Sequence, residues 1–318
     1  MRTLVISDLH LGQGGGISVL TRPAPMRALT AAVTRHDRLV LLGDVLEMQE
    51  ANAERSLRVA APVLAEIAAA VGDRGELWVV PGNHDHLLIQ QWAEAQGERL
   101  GLADEVPLDA SRMLASLCAS LSATNVSVFY PGVWLSPRVW ATHGHHLANY
   151  LRPMSSWGLH PRRADWGPAT VAALEPAAAS RREHVQDGLP APRWTDRLIP
   201  IPLAPVSSRL LGRQMLRHSL PAFATCLQAL AVDADHVVFG HVHRRGPREG
   251  EDPQRWRVAA SGPRLANTGS WRFEPVVSHG LDARSNYWPG GAVTIGEDGI
   301  PHSIGLLDGF SEAQILAR

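Results

Sequence analysis

The sequence contains no lysine, so each of its 30 basic residues is arginine. Because alanine, glycine and proline are frequent as well, we attribute this bias to a GC-rich genome rather than to function. The formal net charge is −1, so no overall field favours a protein that wraps nucleic acid. We therefore expect no stable nucleic-acid partner.

Cysteines and long apolar runs are also scarce. The two cysteines, Cys118 and Cys226, stand among alanines and leucines and need no partner, which excludes a disulfide framework. The amino terminus passes directly into the strand-like residues 4–6, without the pattern of a signal peptide. No run of about 18 apolar residues is present, so we expect no membrane-spanning helix. These features predict a cytoplasmic protein.

The first 85 residues alternate between strand and helix patterns. Apolar runs predict strands at 2–7, 38–42 and 76–80, and helical spacing predicts helices at about 26–36 and 53–71. A strand–helix–strand–helix–strand order is typical of a parallel sheet flanked by helices. The sequence therefore predicts an α/β fold.

The pattern continues in the second half of the chain. Strands are predicted at 126–130, 138–141 and 236–239, and helices at 111–119 and 210–230. Between about 255 and 304, strand-like runs alternate with turns rich in Gly, Pro and Asn. A second, more antiparallel sheet is the simplest account of that region.

Residues 150–220 differ from the rest of the chain in composition, because prolines and tryptophans are frequent and regular periodicity is lost. We expect a cap inserted into a single domain that spans 1–318. The segment carries ten arginines against five acids, which suits a small anionic substrate rich in phosphate. Its tryptophans could stack a base, and residues 198–205 could make weak contact with a lipid or membrane interface. Alternatively, the arginines form a solvated face and the apolar stretch packs on the domain.

Polar side chains recur where the predicted strands end. The set is Asp8, His10, Asp44, Asn83, His84, His143, His241 and His243. A single Asp or His in such a place is more often a turn former or a solvated residue. Repetition at several strand ends instead indicates one site at the carboxyl edge of the sheet.

The spacing and chemistry of this set indicate a metal site. In extended backbone, residues i and i+2 point to the same side, so Asp8 and His10 can face one centre, as can His241 and His243. Mixed carboxylate and imidazole ligands suit Mn, Fe or Zn better than Mg or Ca. Roughly seven ligands are too many for one ion but fit two ions that share a carboxylate, an arrangement that promotes displacement at phosphorus.

Five sequence blocks resemble the signature of the calcineurin-like metallophosphoesterases, in that family's order. The blocks are Asp8-Leu9-His10, Gly43-Asp44, Gly82-Asn83-His84-Asp85, His143-Gly144 and Gly240-His241-Val242-His243. The resemblance implies a sandwich of two mixed β-sheets flanked by helices, here with an inserted cap. It also implies hydrolysis of phosphodiesters, pyrophosphates or phosphomonoesters by two divalent ions, with Mn and/or Fe expected and Zn as a further choice.

The resemblance further implies a role for each ligand. Asp8, His10 and His243 would hold the first ion, Asn83, His143 and His241 the second, and Asp44 would bridge both. A hydroxide between the ions would be the nucleophile. His84 would not be a ligand; it would protonate the leaving oxygen, and Glu47 would orient its imidazole.

Other residues near these blocks are open to two interpretations. Asp85 either anchors the ligand loop or caps a helix that starts near His86. His86, His145 and His146 either touch substrate or are incidental neighbours of ligands. The segment 267–271 is either a turn near the site, as the resemblance implies, or a plain turn between strands.

Two alternatives concern the substrate, and two further ones concern the function. A nucleotide-linked lipid cleaved at its diphosphate competes with a soluble nucleotide phosphodiester. A DNA-processing nuclease of the same superfamily would need a partner surface and a basic groove, and the sequence shows no heptads. A non-catalytic binding scaffold would be expected to lack ligands or the acid, whereas every position of the signature is filled here.

Overall fold

The computed structural model describes residues 1–13, 17–122, 124–153, 159–161, 167–180 and 204–318. Its strands are β1 (Thr3–Ile6), β2 (Ile17–Ser18), β3 (Arg38–Leu42), β4 (Glu76–Val80), β5 (Asp104–Val106), β6 (Asn125–Tyr130), β7 (Gly132–Ser136), β8 (Val139–Thr142), β9 (Leu151–Pro153), β10 (Leu159–Pro161), β11 (His236–Phe239), β12 (Arg264–Asn267), β13 (Arg272–Phe273), β14 (Gly291–Ile295) and β15 (Pro301–Gly305). Its α-helices are α1 (Pro23–Val33), α2 (Ala53–Val71), α3 (Gln90–Gln96), α4 (Arg112–Ser120), α5 (Val171–Ser180), α6 (Ala204–Gln214), α7 (Leu220–Ala229), α8 (Pro275–Ser278) and α9 (Glu312–Leu316).

The larger sheet has the strand order β15-β14-β1-β3-β4-β6-β5. Its four central strands, β1, β3, β4 and β6, pair in parallel, and α1 and α2 connect the first three of them. The parallel arrangement predicted for the first 85 residues is therefore confirmed. Leu39–Leu42 of β3 are buried on both faces, as is typical of a central parallel strand.

The smaller sheet has the order β12-β11-β8-β7, with β12, β11 and β8 parallel. The prediction that residues 255–304 form their own antiparallel sheet is wrong. Strand β12 extends the smaller sheet, whereas β14 and β15 extend the larger sheet by antiparallel pairing beside β1. A local sequence pattern shows that a segment is a strand but not which sheet edge it joins.

The two sheets pack face to face. Val5 and Val40 of the larger sheet share a buried cluster with Val139 and Val238 of the smaller one. The alternate residues of the larger sheet point the other way, into the core beneath the helices. The fold is thus the α/β sandwich of two mixed sheets flanked by helices that the family resemblance implies.

The strand register places the strand ends together. Leu41 pairs with Ile6 and Leu42 with Val80, so β1, β3 and β4 end at one edge of the larger sheet. In the smaller sheet, β8 and β11 also end at paired residues, Thr142 and Phe239. The loops that leave these strands carry the residues predicted to form the site.

Much of the predicted cap lies outside the described residues. These parts include Trp157, Trp166, Trp194, most of the arginines and the stretch from 198 to 203. Within the described residues of 150–220, β9 pairs with β10, and α5 and α6 are helical. No helix in the described ranges is both long and apolar enough to cross a membrane.

The helix predicted at 210–230 is longer and interrupted. It begins as α6 at Ala204, passes through a π-helical turn at Met215–Ser219 and continues as α7. Pro221 in the first turn of α7 has no N–H to donate to the preceding turn, which accounts for the change of helical type there.

Candidate metal centre

Six of the seven predicted metal ligands form two clusters at the carboxyl edge of the sheets: Asp8, His10 and His243, and Asp44, His143 and His241. Nε2 of His243 lies 3.1 Å from Oδ1 of Asp8 and 3.2 Å from Nε2 of His10. In the second cluster, Nε2 of His143 lies 3.2 Å from Oδ2 of Asp44, and the ring of His241 is the third member. The ligand atoms of each cluster lie within 4.8 Å of one another, a spacing compatible with a shared cation.

Asp44 lies between the two clusters. Its Oδ2 is 3.2 Å from Nε2 of His143 in one cluster and 3.9 Å from Nε2 of His10 in the other. Its Oδ1 accepts a hydrogen bond from the backbone N–H of His84 at 2.9 Å, which fixes the orientation of the carboxylate. One carboxylate of the second cluster therefore lies within 4 Å of an imidazole of each cluster.

The backbone at these residues is left-handed rather than extended. Six non-glycine residues of the described chain have positive φ, and five of them are predicted ligands: Asp8 (56°), His10 (45°), Asp44 (52°), His241 (67°) and His243 (54°). Each such residue costs on the order of 1–3 kcal/mol and persists where the surroundings enforce it, as at functional sites.

The i, i+2 spacing predicted that extended backbone turns each pair of side chains to one side. That reason is wrong, because the backbone at these residues is left-handed. Strand β1 ends two residues before Asp8, and the loop reaches the site through left-handed turns. His241 and His243 do not share one centre either. The structure groups His243 with Asp8 and His241 with Asp44.

Glycines let the strand ends approach one another. Gly43 has a φ of +85°, and a Cβ there would lie 2.3 Å from Nδ1 of His143. A Cβ at Gly82 would lie 2.3 Å from Oδ1 of Asp44. Any larger residue at these two positions would displace ligand side chains, which explains the Gly-Asp and Gly-Asn dipeptides of the motif blocks.

Three imidazoles are oriented through their Nδ1 atoms. The acceptors are Oε2 of Glu47 for His10 at 3.2 Å, the carbonyl oxygen of Leu42 for His143 at 2.9 Å, and Oε1 of Glu274 for His243 at 2.5 Å. When Nδ1–H donates, Nε2 keeps its lone pair and is the atom available to a metal. All three Nε2 atoms point into the clusters.

Four buried side-chain atoms in the centre make no hydrogen bond of good geometry among the described residues. They are Oδ1 of Asp8, Oδ1 of Asn83, Nε2 of His84 and Nε2 of His143, although His243 lies 3.1 Å from the first and Asp44 lies 3.2 Å from the last. Burying an unpaired polar atom costs about 1–3 kcal/mol. A cation held by the Asp8, Asn83 and His143 atoms would remove that cost, so these residues fit divalent metal ions. Their oxygen and nitrogen donors suit Mn, Fe or Zn.

Protons and metal ions compete for the same atoms. Burial alone would lower the pKa of His143, but the adjacent carboxylate of Asp44 outweighs burial and raises that pKa to about 9. Without a metal, a proton on Nε2 therefore satisfies the contact with Asp44. A metal ion bound through Nε2 would have to displace this proton.

His84, the predicted acid, lies beside His10 and Asp44 in a third group whose ligand atoms are within 4.8 Å of one another. Glu47 holds its Nδ1 through Oε1 at 2.8 Å, and its Nε2 lies 4.0 Å from Oδ2 of Asp44. Burial would lower the pKa of His84, but the carboxylates of Asp44 and Glu47 outweigh it and raise the pKa. An imidazole that holds its proton is suited to donate it.

Glu47 does more than orient His84. Its Oε2 also accepts from Nδ1 of His10, and its Oε1 accepts the backbone N–H groups of Gln49 and Glu50 at 3.0 and 2.9 Å. One buried carboxylate therefore orients both a predicted ligand and the predicted acid. The family resemblance implied only the second of these contacts.

Asp85 is an anchor of the loop backbone. Its Oδ1 accepts the N–H of Gly82 at 2.6 Å, and its Oδ2 accepts those of Val45 and Leu46 at 2.7 and 3.3 Å. The alternative in which Asp85 caps a helix is wrong, since its side chain makes no capping bond to the turn that follows. Asp85 ties the loop that carries Asn83 to the loop that carries Asp44.

The turn at 267–271 lies beside the centre. Ser270 Oγ and Trp271 N–H both donate to the carbonyl oxygen of Asp8 at 3.1 Å. Asn267 Nδ2 donates to the carbonyl oxygen of Gly240 at 2.6 Å, directly before His241. This turn therefore positions the backbone of two ligand loops.

Glu274 was missed by the sequence analysis. It stands alone after β13, and no local pattern marks it. We expect Glu274→Gln to weaken binding of one metal ion about 10- to 100-fold, because the amide can no longer hold Nδ1–H of His243 as a carboxylate does. Calorimetric titration with Mn²⁺ measures the effect.

Glu312→Gln is the matched control for Glu274→Gln. Glu312 holds the exposed His279 at 2.7 Å in a similar Glu–His pair of the same chain. The control should leave metal affinity unchanged. Equal affinities for the two variants would show that Glu274 does not orient a ligand.

His86 and His146 contact a carboxylate outside the set of predicted ligands. Both donate to the carboxylate of Glu175. Burial raises the pKa of Glu175, but the neighbouring His146 and His86 outweigh it and hold that pKa well below its usual value, so the carboxylate is ionised. His145 is buried beside them, and its Nδ1 has no partner in the described part of the chain.

A comparison with protein families finds one matching description. The family model for calcineurin-like phosphoesterases matches residues 1–245. The match contains all of the predicted ligands from Asp8 to His243, and it ends before Glu274. No curated protein matches the chain.

Proposed function

The chain belongs to the calcineurin-like phosphoesterase family, and we propose that its centre hydrolyses a phosphodiester, pyrophosphate or phosphomonoester with two divalent ions. The family and the clustered His and Asp side chains already support a metal-dependent phosphoester hydrolase. The single observation that carries the two-ion proposal is the position of Asp44, whose Oδ2 is close to both clusters.

We assign the ligands by cluster. Asp8, His10 and His243 hold one ion, Asn83, His143 and His241 hold the other, and Asp44 is shared. The buried Oδ1 atom of Asn83 supports this assignment, since it has no hydrogen-bond partner in the described structure. The donor set favours Mn and/or Fe, with Zn as a third choice.

Bound divalent ions would supply positive charge for the phosphoryl oxygens and would acidify the attacking water. The chain's own residues do the rest. His84 gives a proton from Nε2 to the leaving oxygen, and Glu47 fixes the imidazole through Nδ1. Asp85 ties the loop that carries Asn83 to the loop that carries Asp44. The burial of these groups limits competing hydrogen bonds from solvent.

The substrate is proposed to be a small anionic molecule, either a nucleotide or a lipid-linked phosphate. Arg209, Arg213 and Arg217 support this, because they recur every four residues and are exposed, so one face near α6 is basic. We also propose that residues 150–220 form an inserted cap and that residues 198–205 make weak contact with a membrane interface. We further propose a cytoplasmic location. The free state of Cys118 and Cys226 is consistent with a reducing compartment.

Turnover of bis-p-nitrophenyl phosphate tests the proposed function. The protein is stripped of metal with a chelator and titrated with Mn²⁺. We expect no hydrolysis by the stripped protein and hydrolysis that grows with added Mn²⁺. Absence of turnover by the Mn²⁺-loaded protein toward this diester and toward p-nitrophenyl phosphate would overturn the proposal.

A further inference from the structure

A second cluster of polar side chains surrounds Glu175. Its Oε1 accepts from the Tyr130 hydroxyl and from Nε2 of His146, both at 2.5 Å, and its Oε2 accepts from Nε2 of His86 at 2.8 Å. Tyr130, His146 and His86 are buried, and the Glu175 side chain is 14 % exposed. We call these four residues the Glu175 cross-link.

The partners of Glu175 come from two different ligand loops. His86 follows Asn83 by three residues, and His146 follows His143 by three residues. Both of those neighbours are assigned to the second ion. One carboxylate therefore joins the two loops that supply these ligands, while the ligands of the first ion lie on other loops.

Glu175 belongs to α5, within the segment predicted to be an inserted cap. Val171 and Leu174 of α5 are buried, and Asn149 Nδ2 donates to the carbonyl oxygen of Leu174 at 3.0 Å. Helix α5 is thus fixed against the loop that follows His143. Glu175 is the single acid in this alanine-rich helix, which is the sequence signal that could have found it.

Spacing decides between hydrogen bonds and a bound cation at Glu175. Two ligand atoms that each lie about 2.1 Å from one ion are about 3.0–3.4 Å apart at tetrahedral or octahedral angles. The proposed metal ligands show such separations, for example 3.1 Å between His243 and Asp8. The distances of 2.5 and 2.8 Å at Glu175 are instead hydrogen-bond lengths.

We propose that Glu175 is a positioning residue through which the 150–220 segment holds the ligand loops of the second metal ion. This inference rests on the proposed function, because it needs the assignment of Asn83 and His143 to that ion. It adds a dependence that the family match does not imply: binding of the second ion requires a residue from the predicted cap.

Glu175→Gln tests the cross-link. A carboxylate accepts at both oxygens, whereas an amide accepts only at one, and all three partners are donors. The variant therefore loses the hydrogen bond to at least one of the two loops, whereas the volume of the side chain is unchanged. We expect affinity for the second Mn²⁺ to fall about 10- to 100-fold and affinity for the first to change less than about 3-fold. Calorimetric titration of the full chain resolves the two events.

A remote variant serves as the control for Glu175→Gln. Glu312→Gln breaks a remote Glu–His pair and should change neither affinity. Thermal unfolding of the metal-free proteins is measured in parallel.

A second pair keeps the test decisive if Glu175→Gln does not fold. His146→Gln retains an N–H donor toward Glu175, whereas His146→Leu removes it. The leucine variant should lose affinity for the second ion, and the glutamine variant should retain most of it.

Several results would overturn the inference. Equal weakening of both ions would mean a general structural role, and no weakening would mean no role. A third ion in the wild type that disappears in Glu175→Gln would mean that the cluster is itself a cation site. Failure of the proposed function would give a different result. Two ions would bind and Glu175→Gln would weaken the second, but no ester would be hydrolysed.

Discussion

Asp44→Asn is expected to reduce kcat/KM for bis-p-nitrophenyl phosphate by more than about 100-fold. Mutation of residues that hydrogen-bond to metal ligands already lowers metal affinity or activity about 10- to 100-fold. Asp44 itself lies close to imidazoles of both clusters. Asparagine keeps the shape but presents an NH₂ group in place of one oxygen. In either orientation of the amide, Asn cannot provide the two oxygens and the charge that Asp44 provides.

The measurement is steady-state hydrolysis at saturating Mn²⁺ together with the metal content of the variant. Asp298→Asn is a suitable control, because Asp298 is an exposed carboxylate paired with the exposed His302. It should behave like the wild type. Unchanged turnover in Asp44→Asn would be incompatible with a shared carboxylate ligand.

His84→Ala should retain both metal ions and lose about 10²- to 10⁴-fold in rate, the usual contribution of a general acid. The loss should be greatest for substrates with poor leaving groups. A nitrophenolate departs without help, whereas an alkoxide needs the proton that His84 is placed to give. The raised pKa of His84, caused by Asp44 and Glu47 against the effect of burial, keeps that proton in place.

Two measurements separate the roles of His84. The first is the ratio of rates for a nitrophenyl ester and an alkyl ester, which the substitution should increase. The second is metal content, since His84 also lies within reach of His10 and Asp44 in a possible ligand group. Loss of an ion in His84→Ala would assign it as a ligand instead.

The sequence was most informative where apolar runs end abruptly. Strands β3, β4 and β11 and helix α2 have the predicted bounds. Each of these strands is a short buried run stopped by Gly or Pro-Gly, and α2 is a long amphipathic run, so local patterns determine them. The polar residues directly behind the strands could be assigned to one site for the same reason.

Long-range contacts could not be predicted in this way. Glu274 meets His243 across 31 residues, and Glu175 meets His86 across 89 residues. Each is a lone acid whose partner is set only by the tertiary fold. The left-handed backbone of Asp8 and His10 could not be predicted from the sequence either, because neither residue type requires a positive φ.

The most direct test of this account is the number of Mn²⁺ ions bound per chain, titrated together with turnover of bis-p-nitrophenyl phosphate. The account predicts two ions per wild-type chain and hydrolysis that appears only as the second ion binds. Full turnover with one ion bound, or two ions bound without any hydrolysis, would contradict it.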